Sequence, residues 1–161
     1  MTKYRHPLKV GLSFGLTSGI ITTLGLIIGL YAGTDSKLAI LGGIFTIAIA
    51  DSFSDALGIH ISEESENIHT LKQIWTATLV TWTSKFIFAL SFAIPVLLLP
   101  NLTAIIVSSI WGVTLLGIFS YLIAKSEKEK PWKVISEHLF IAVLVIVLTF
   151  FTGKFIATVF K

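Results

Sequence analysis

The chain has 161 residues, 54% of them hydrophobic and only 13% charged, with a mean hydropathy of +0.89 and a net charge of +3. That is about half the charge of a typical soluble domain, and it points to a polytopic membrane protein in one compact domain. Cysteine is absent, which excludes disulfides and thiolate metal sites, and no nucleic-acid motif is visible. At about 20 residues per crossing, five spans fit and seven do not.

Hydropathy and turn residues predict an all-α chain with transmembrane helices at about 9–33, 38–63, 73–99, 102–124 and 132–158. The first apolar stretch runs straight toward a second span without a small-residue cleavage site, so it is expected to be a retained span and not a signal peptide. Gly33 to Ser36 form a tight turn in which Asp35 or Ser36 caps the second helix. Pro95 kinks the third helix, Pro100-Asn101 ends it, and Pro131 opens the fifth. Lys3, Arg5, Lys9, Lys72, Lys125, Lys128, Lys130 and Lys133 fall on one side of these spans; Lys37, Lys154 and Lys161 fall on the other. The positive-inside rule then places the N-terminus in the cytoplasm and the C-terminus outside or in a lumen. Tyr4, Tyr31, Trp75 and Trp132 sit where interfacial aromatic residues are expected.

The first helix carries glycines four apart at Gly11, Gly15 and Gly19, and again at Gly25, Gly29 and Gly33. Small residues at this spacing let helix backbones approach. They serve either packing within one subunit or a homodimer interface, and the first run is the candidate for dimer packing. Ser18 and Thr22 share a face of this helix and are candidates to line a pathway, although such hydroxyls often bond back to the backbone.

The second helix holds the chemistry. Asp51 and Asp55 lie one turn apart in a run with no other formal charge from Leu38 to Ile61. A carboxylate at mid-membrane costs about 2.5–3.5 kcal/mol on insertion scales, so two of them imply a function or a partner. With Ser54, Gly58 and Ser62 they form one stripe by helical spacing. The stripe runs toward His60, Glu63, Glu64, Glu66 and His69, and oxygen and imidazole donors suit divalent first-row metals. Asp51, Asp55, Glu63, Glu64 and Glu66 are therefore the candidate metal ligands, with Ser54 and His60 along the path. Lys85 lies on the third helix about 15–18 Å deep, level with Asp51. It is expected to pair with Asp51, as a structural clamp or as a gate, leaving Asp55 the freer carboxylate. Glu66 and His69 have di-iron ligand spacing, but a single such pair does not make an oxidase. Glu137 and His138 fall near the interface. No catalytic triad, phosphate loop or paired-acid hydrolase arrangement is present, so the chain is not expected to be an enzyme or to hold a cofactor.

These pieces together resemble the vacuolar iron transporter family, the five-helix metal–proton exchangers related to yeast vacuolar iron and manganese importers. Phe14 to Leu30 (FGLTSGIITTLGLIIGL) resembles the family's glycine-rich opening motif. Ser54 to Leu57, followed by Ile61 to Glu64, stands in the place of its Gly-Glu-Tyr-Val-Ser segment. Ala93-Ile94-Pro95 with Pro100, Lys130-Pro131-Trp132 and Thr152-Gly153-Lys154 resemble its third-helix, loop and last-helix patterns. The resemblance implies a homodimer exchanging ferrous iron or manganese for protons, with the divalent ion as cargo. The expected setting is membrane lipid, in the plasma membrane of a prokaryote. The first-helix acid of the family falls at Ser18, its second-helix methionine at Asp51 and its glutamate at Asp55. The chain thus exchanges a soft sulfur donor for oxygen, which shifts preference toward harder cations. The cytoplasmic metal-binding insert of the plant members is missing between Glu63 and Lys72. Two rivals follow from the same residues: a scaffold or partner subunit in which Lys85 clamps the aspartates, and a passive cation channel.

Overall fold

The computed structural model describes residues 4–160; Lys3 and Lys161, two of the charges in the orientation argument, lie outside them. Six helices follow one another: α1 (Arg5–Thr34), α2 (Lys37–Ser65), α3 (Leu71–Ser91), α4 (Ala93–Leu98), α5 (Asn101–Glu127) and α6 (Pro131–Val159). With α3 and α4 taken as one, five spans are long and apolar enough to cross a membrane, and no strand occurs among the described residues. This is an integral membrane protein of five helical spans.

Local chemistry sets most of the boundaries. Ser36 accepts a hydrogen bond from the Ala39 N–H (3.3 Å) and caps α2, while Asp35 turns the chain in a left-handed conformation (φ 45°). Thr70 and Gln73 form a capping box at the start of α3. The third span breaks at Phe92 because Pro95 has no N–H for the Ser91 carbonyl four residues back. At the end of α4, Lys37 Nζ reaches the Leu99 carbonyl (2.9 Å), and Asn101 bonds to Asp35 beside it. Pro131 occupies the first turn of α6, as its fixed φ favours. The first helix starts at Arg5, four residues before the expected position, because a helix continues through the polar interface where hydropathy has already fallen.

The first span is the hub. More than half of its most apolar window is buried, against 11% for α6, and it packs on α2, α3, α5 and α6. Its two glycine runs serve two different neighbours. Six residues separate Gly19 from Gly25, a rotation of about 240° at 100° per residue, so the second run faces elsewhere. A Cβ at Gly11 would meet the Ala77 carbonyl at 2.6 Å, at Gly15 it would overlap Ser84 Oγ, and at Gly19 it would lie 3.1–3.3 Å from the Lys85 backbone and stem. Gly25, Gly29 and Gly33 instead lie against Val145, Thr149 and Gly153 of α6. The first run is therefore filled by α3 of the same chain and is not free to pack a second copy, which corrects the dimer expectation for Gly11, Gly15 and Gly19. Leu16, Ile20, Ile27, Ile44, Phe92 and Leu116 close the apolar core around it.

Candidate functional site

Three spans meet at mid-membrane around one lysine. Lys85 lies 14 residues into α3, Asp51 lies 14 residues from the end of α2 and Ser18 lies 13 residues into α1. At about 1.5 Å per residue, all three sit about 20 Å from the end of the bundle that holds the N-terminus. Gly15 and Gly19 make the meeting possible: without a Cβ, α1 lies directly on α3, and the Lys85 stem passes across Gly19. Lys85 is fully buried as a result.

Its ammonium is held on three sides. Nζ donates to Asp55 Oδ2 and to Ser18 Oγ (3.0 Å), and it lies 2.5 Å from Asp51 Oδ2 without hydrogen-bond alignment. Ser18 Oγ in turn donates to Asp55 Oδ2 at 2.7 Å. Pairing with Asp51 is thus met, but Asp55 is not the freer acid: it is the better bonded of the two. One cation faces two carboxylates, so the cluster holds an excess of one acid. Both acid side chains keep some access, 30% for Asp51 and 20% for Asp55.

Asp51 opens onto a groove of about 720 Å³ between α1 and α2, which it lines with Thr22, Thr46 and Ser54 among apolar neighbours. Thr22 lines it, yet its hydroxyl donates back to the Ser18 carbonyl (2.8 Å). Ser54, Gly58 and Ser62 are exposed on the same face of α2, so the polar stripe holds together as an outer face, with the aspartates at its inner edge.

The acids beyond the stripe do not continue it. Glu64 and Glu66 are exposed at the end of α2, whereas Glu63 is turned inward and buried between His6 and His69. His60 is on a different side of α2. It lines an apolar cavity of about 600 Å³ with Trp75 and Trp82, and its Nδ1 lies 2.9 Å from Thr78 Oγ1. The Thr78 hydroxyl proton is already given to the Ile74 carbonyl (2.8 Å), so the threonine accepts and His60 donates from Nδ1. His60 is thus a packed, bonded residue and leaves the path set by Asp51 and Ser54. His138 makes the equivalent contact with Ser120 (2.8 Å), whose own proton goes to the Leu116 carbonyl.

Sequence reasoning missed His6. Nothing in linear spacing ties it to Glu63 and His69; only its place one turn inside α1, at the same end of the bundle, could have suggested it. A comparison with protein-family models gives no match, and neither does a comparison with curated proteins.

Proposed function

We propose that this protein moves a divalent cation of the iron or manganese class across its membrane in exchange for protons. The observation that carries the reading is the mid-membrane cluster: two carboxylates, one lysine and a bridging serine, opening through Asp51 onto a mostly apolar groove. Ionisable groups at that depth are costly and are used where charge passes. The excess carboxylate gives an arriving cation a site, and the Lys85 ammonium occupies that site until it comes. Metal and protons compete for carboxylates, which is the chemistry that couples one to the other. Asp55 is the principal ligand or proton carrier, Asp51 the second, and Lys85 the compensating charge. Glu64 and Glu66, exposed at the end of α2, gather cations near the mouth, whereas Glu63 is turned inward and takes no part in that. The resemblance to vacuolar iron transporters agrees with this assignment and with export from the cytoplasm. Lysine and arginine crowd the end of the bundle that holds the N-terminus, which supports a cytoplasmic N-terminus.

A homodimer fits the outer face of α2. Gly42, Thr46, Ala50, Ser54, Gly58 and Ser62 follow one another four apart and are all exposed, and a Cβ at Gly42 or Gly58 would have nothing within 4 Å. A second copy on this face would cover the groove.

One observation favours a second reading, a non-transporting scaffold: Lys85 and Ser18 already engage both aspartates. Proton movement driven by iron, manganese, cobalt or zinc in proteoliposomes separates the two. Transport predicts flux in wild type that disappears in Asp55→Asn. A folded protein that moves neither metal nor protons would leave the scaffold reading standing.

A further inference from the structure

At the end of the bundle that holds the N-terminus, three elements bring two imidazoles to one buried carboxylate. His6 comes from the first turn of α1, Glu63 from the last turns of α2 and His69 from the connection before α3. His6 Nε2 is 3.7 Å from Glu63 Oε1, and His69 Nε2 is 3.6 Å from Glu63 Oε2. The three donor atoms all lie within 4.8 Å of one another. The two rings stack nearly parallel, 11° apart in plane with centroids at 5.0 Å.

Hydrogen bonds do not join Glu63 to either ring. Separations of 3.6–3.7 Å are too long for hydrogen bonds. The Glu63 side chain is 5% exposed, and its Oε2 has no hydrogen-bond partner although it lies 3.6 Å from His69 Nε2. A buried carboxylate oxygen left in that state is unfavourable, and a cation among the three donors removes the penalty. Around a metal with bonds of about 2.1 Å, tetrahedral ligands stand about 3.4 Å apart. The two histidine–carboxylate spacings need shifts of a few tenths of an ångström, the widest pair up to about 1.4 Å, and one ring must turn out of the stack so that both Nε2 lone pairs meet at the ion.

We propose that His6, Glu63 and His69 form a binding site for a divalent transition-metal ion. Two imidazoles with one carboxylate select zinc, cobalt, nickel, iron or manganese over calcium and magnesium, which take all-oxygen sites. The fourth position falls to water or to Glu66. The Glu66 carboxylate lies 3.1 Å from His69 Nε2 and would give up that nitrogen to a metal. The site clamps the start of α1 to the α2–α3 connection. It is eight residues beyond Asp55 along α2, about 12 Å away, and independent of the lysine cluster. The inference concerns binding alone and does not require that the chain transports.

Cobalt titration of the purified protein in detergent, read by visible d–d absorption, tests it. Wild type is expected to take up one saturable equivalent with imidazole-bound tetrahedral or five-coordinate bands, apart from any uptake at the mid-membrane carboxylates. His6→Ala and His69→Ala should each weaken binding at this site at least about tenfold, and Glu129→Gln, an exposed acid outside both clusters, should bind as wild type does. The His6 side chain is 57% exposed, so His6→Ala is the variant certain to be read in a folded protein, and it decides the matter if His69→Ala does not fold. Undiminished cobalt uptake by His6→Ala, or no saturable uptake by wild type, would overturn the site. Loss of uptake in Asp55→Asn alone would place the metal at mid-membrane and overturn it equally. Failure of the transport reading shows in flux and leaves this titration untouched.

Discussion

Replacing Lys85 with methionine tests whether the mid-membrane cluster is held by charge. Methionine keeps most of the stem that lies along Gly19, so the change removes the ammonium and little packing. Two partly buried carboxylates then lose their shared counter-ion. At 2.5 Å and an effective dielectric of about 20, the gross attraction of one such pair is about 6–7 kcal/mol. Desolvation offsets much of it, and breaking a buried pair costs about 3–5 kcal/mol net. The Asp51 and Asp55 side chains remain 30% and 20% exposed, which puts this case at the lower end, about 3 kcal/mol. Asp55→Asn should behave differently. Lys85 keeps Asp51, the amide oxygen still accepts from Ser18, and the excess carboxylate is gone, so the loss should be about 1 kcal/mol or less. Combining Asp55→Asn with Lys85→Met should cost less than the sum of the two, by about 1–2 kcal/mol. Thermal unfolding in detergent, followed by tryptophan fluorescence, reads the series. At about 2–4 °C per kcal/mol, Lys85→Met should unfold about 6–12 °C below wild type. A lysine variant as stable as wild type, or an asparagine variant that is the less stable of the two, would refute the argument.

Three further outcomes follow from the same geometry. Gly15→Ala must displace Ser84 and the Thr81 carbonyl, which a Cβ would approach at 2.5 Å, and should destabilise by about 1–3 kcal/mol; Gly29→Ala, with its nearest contact at 3.4 Å, should change thermal unfolding little. Ser18→Ala removes both the donor to Asp55 and an acceptor of Lys85, so about 1–2 kcal/mol of stability should go, and metal-driven flux should fall in the same proteoliposomes. Gly58 is exposed and a Cβ there has nothing within 4 Å, so Gly58→Phe should change unfolding little while shifting a dimer to monomer in light scattering; a dimer that persists would move the interface off α2.

The five spans were readable because hydropathy and punctuation agree: Ser36, Pro95 and Pro131 each act where local chemistry requires. The Lys85–Asp51 pair was readable too, since depth along two helices follows from residue count alone. What escaped the sequence was azimuth. Spacing by four gives a face but not its neighbour, so Gly11, Gly15 and Gly19 were open to either a second subunit or α3. The same ignorance gave Asp55 too much freedom, because Ser18 comes from a third helix whose rotation the sequence does not set. His60 and Glu63 follow the stripe in sequence, but a few residues at 100° each turn them toward Thr78 and His6.

The shared counter-ion also bears on how the chain enters its bilayer. The two acids sit on α2 and the lysine on α3, joined by the short connection 66–70. Synthesis therefore delivers the carboxylates first. Inserted alone, α2 would carry a penalty of roughly 5–7 kcal/mol for two charges in hydrocarbon. Entering together with α3 as a helical hairpin, it arrives already partnered, and only the serine of α1 remains to be met. The smallest unit of this protein that a membrane accepts without an uncompensated pair of acids is thus the α2–α3 hairpin, and the α1 glycines give that hairpin the surface on which it docks.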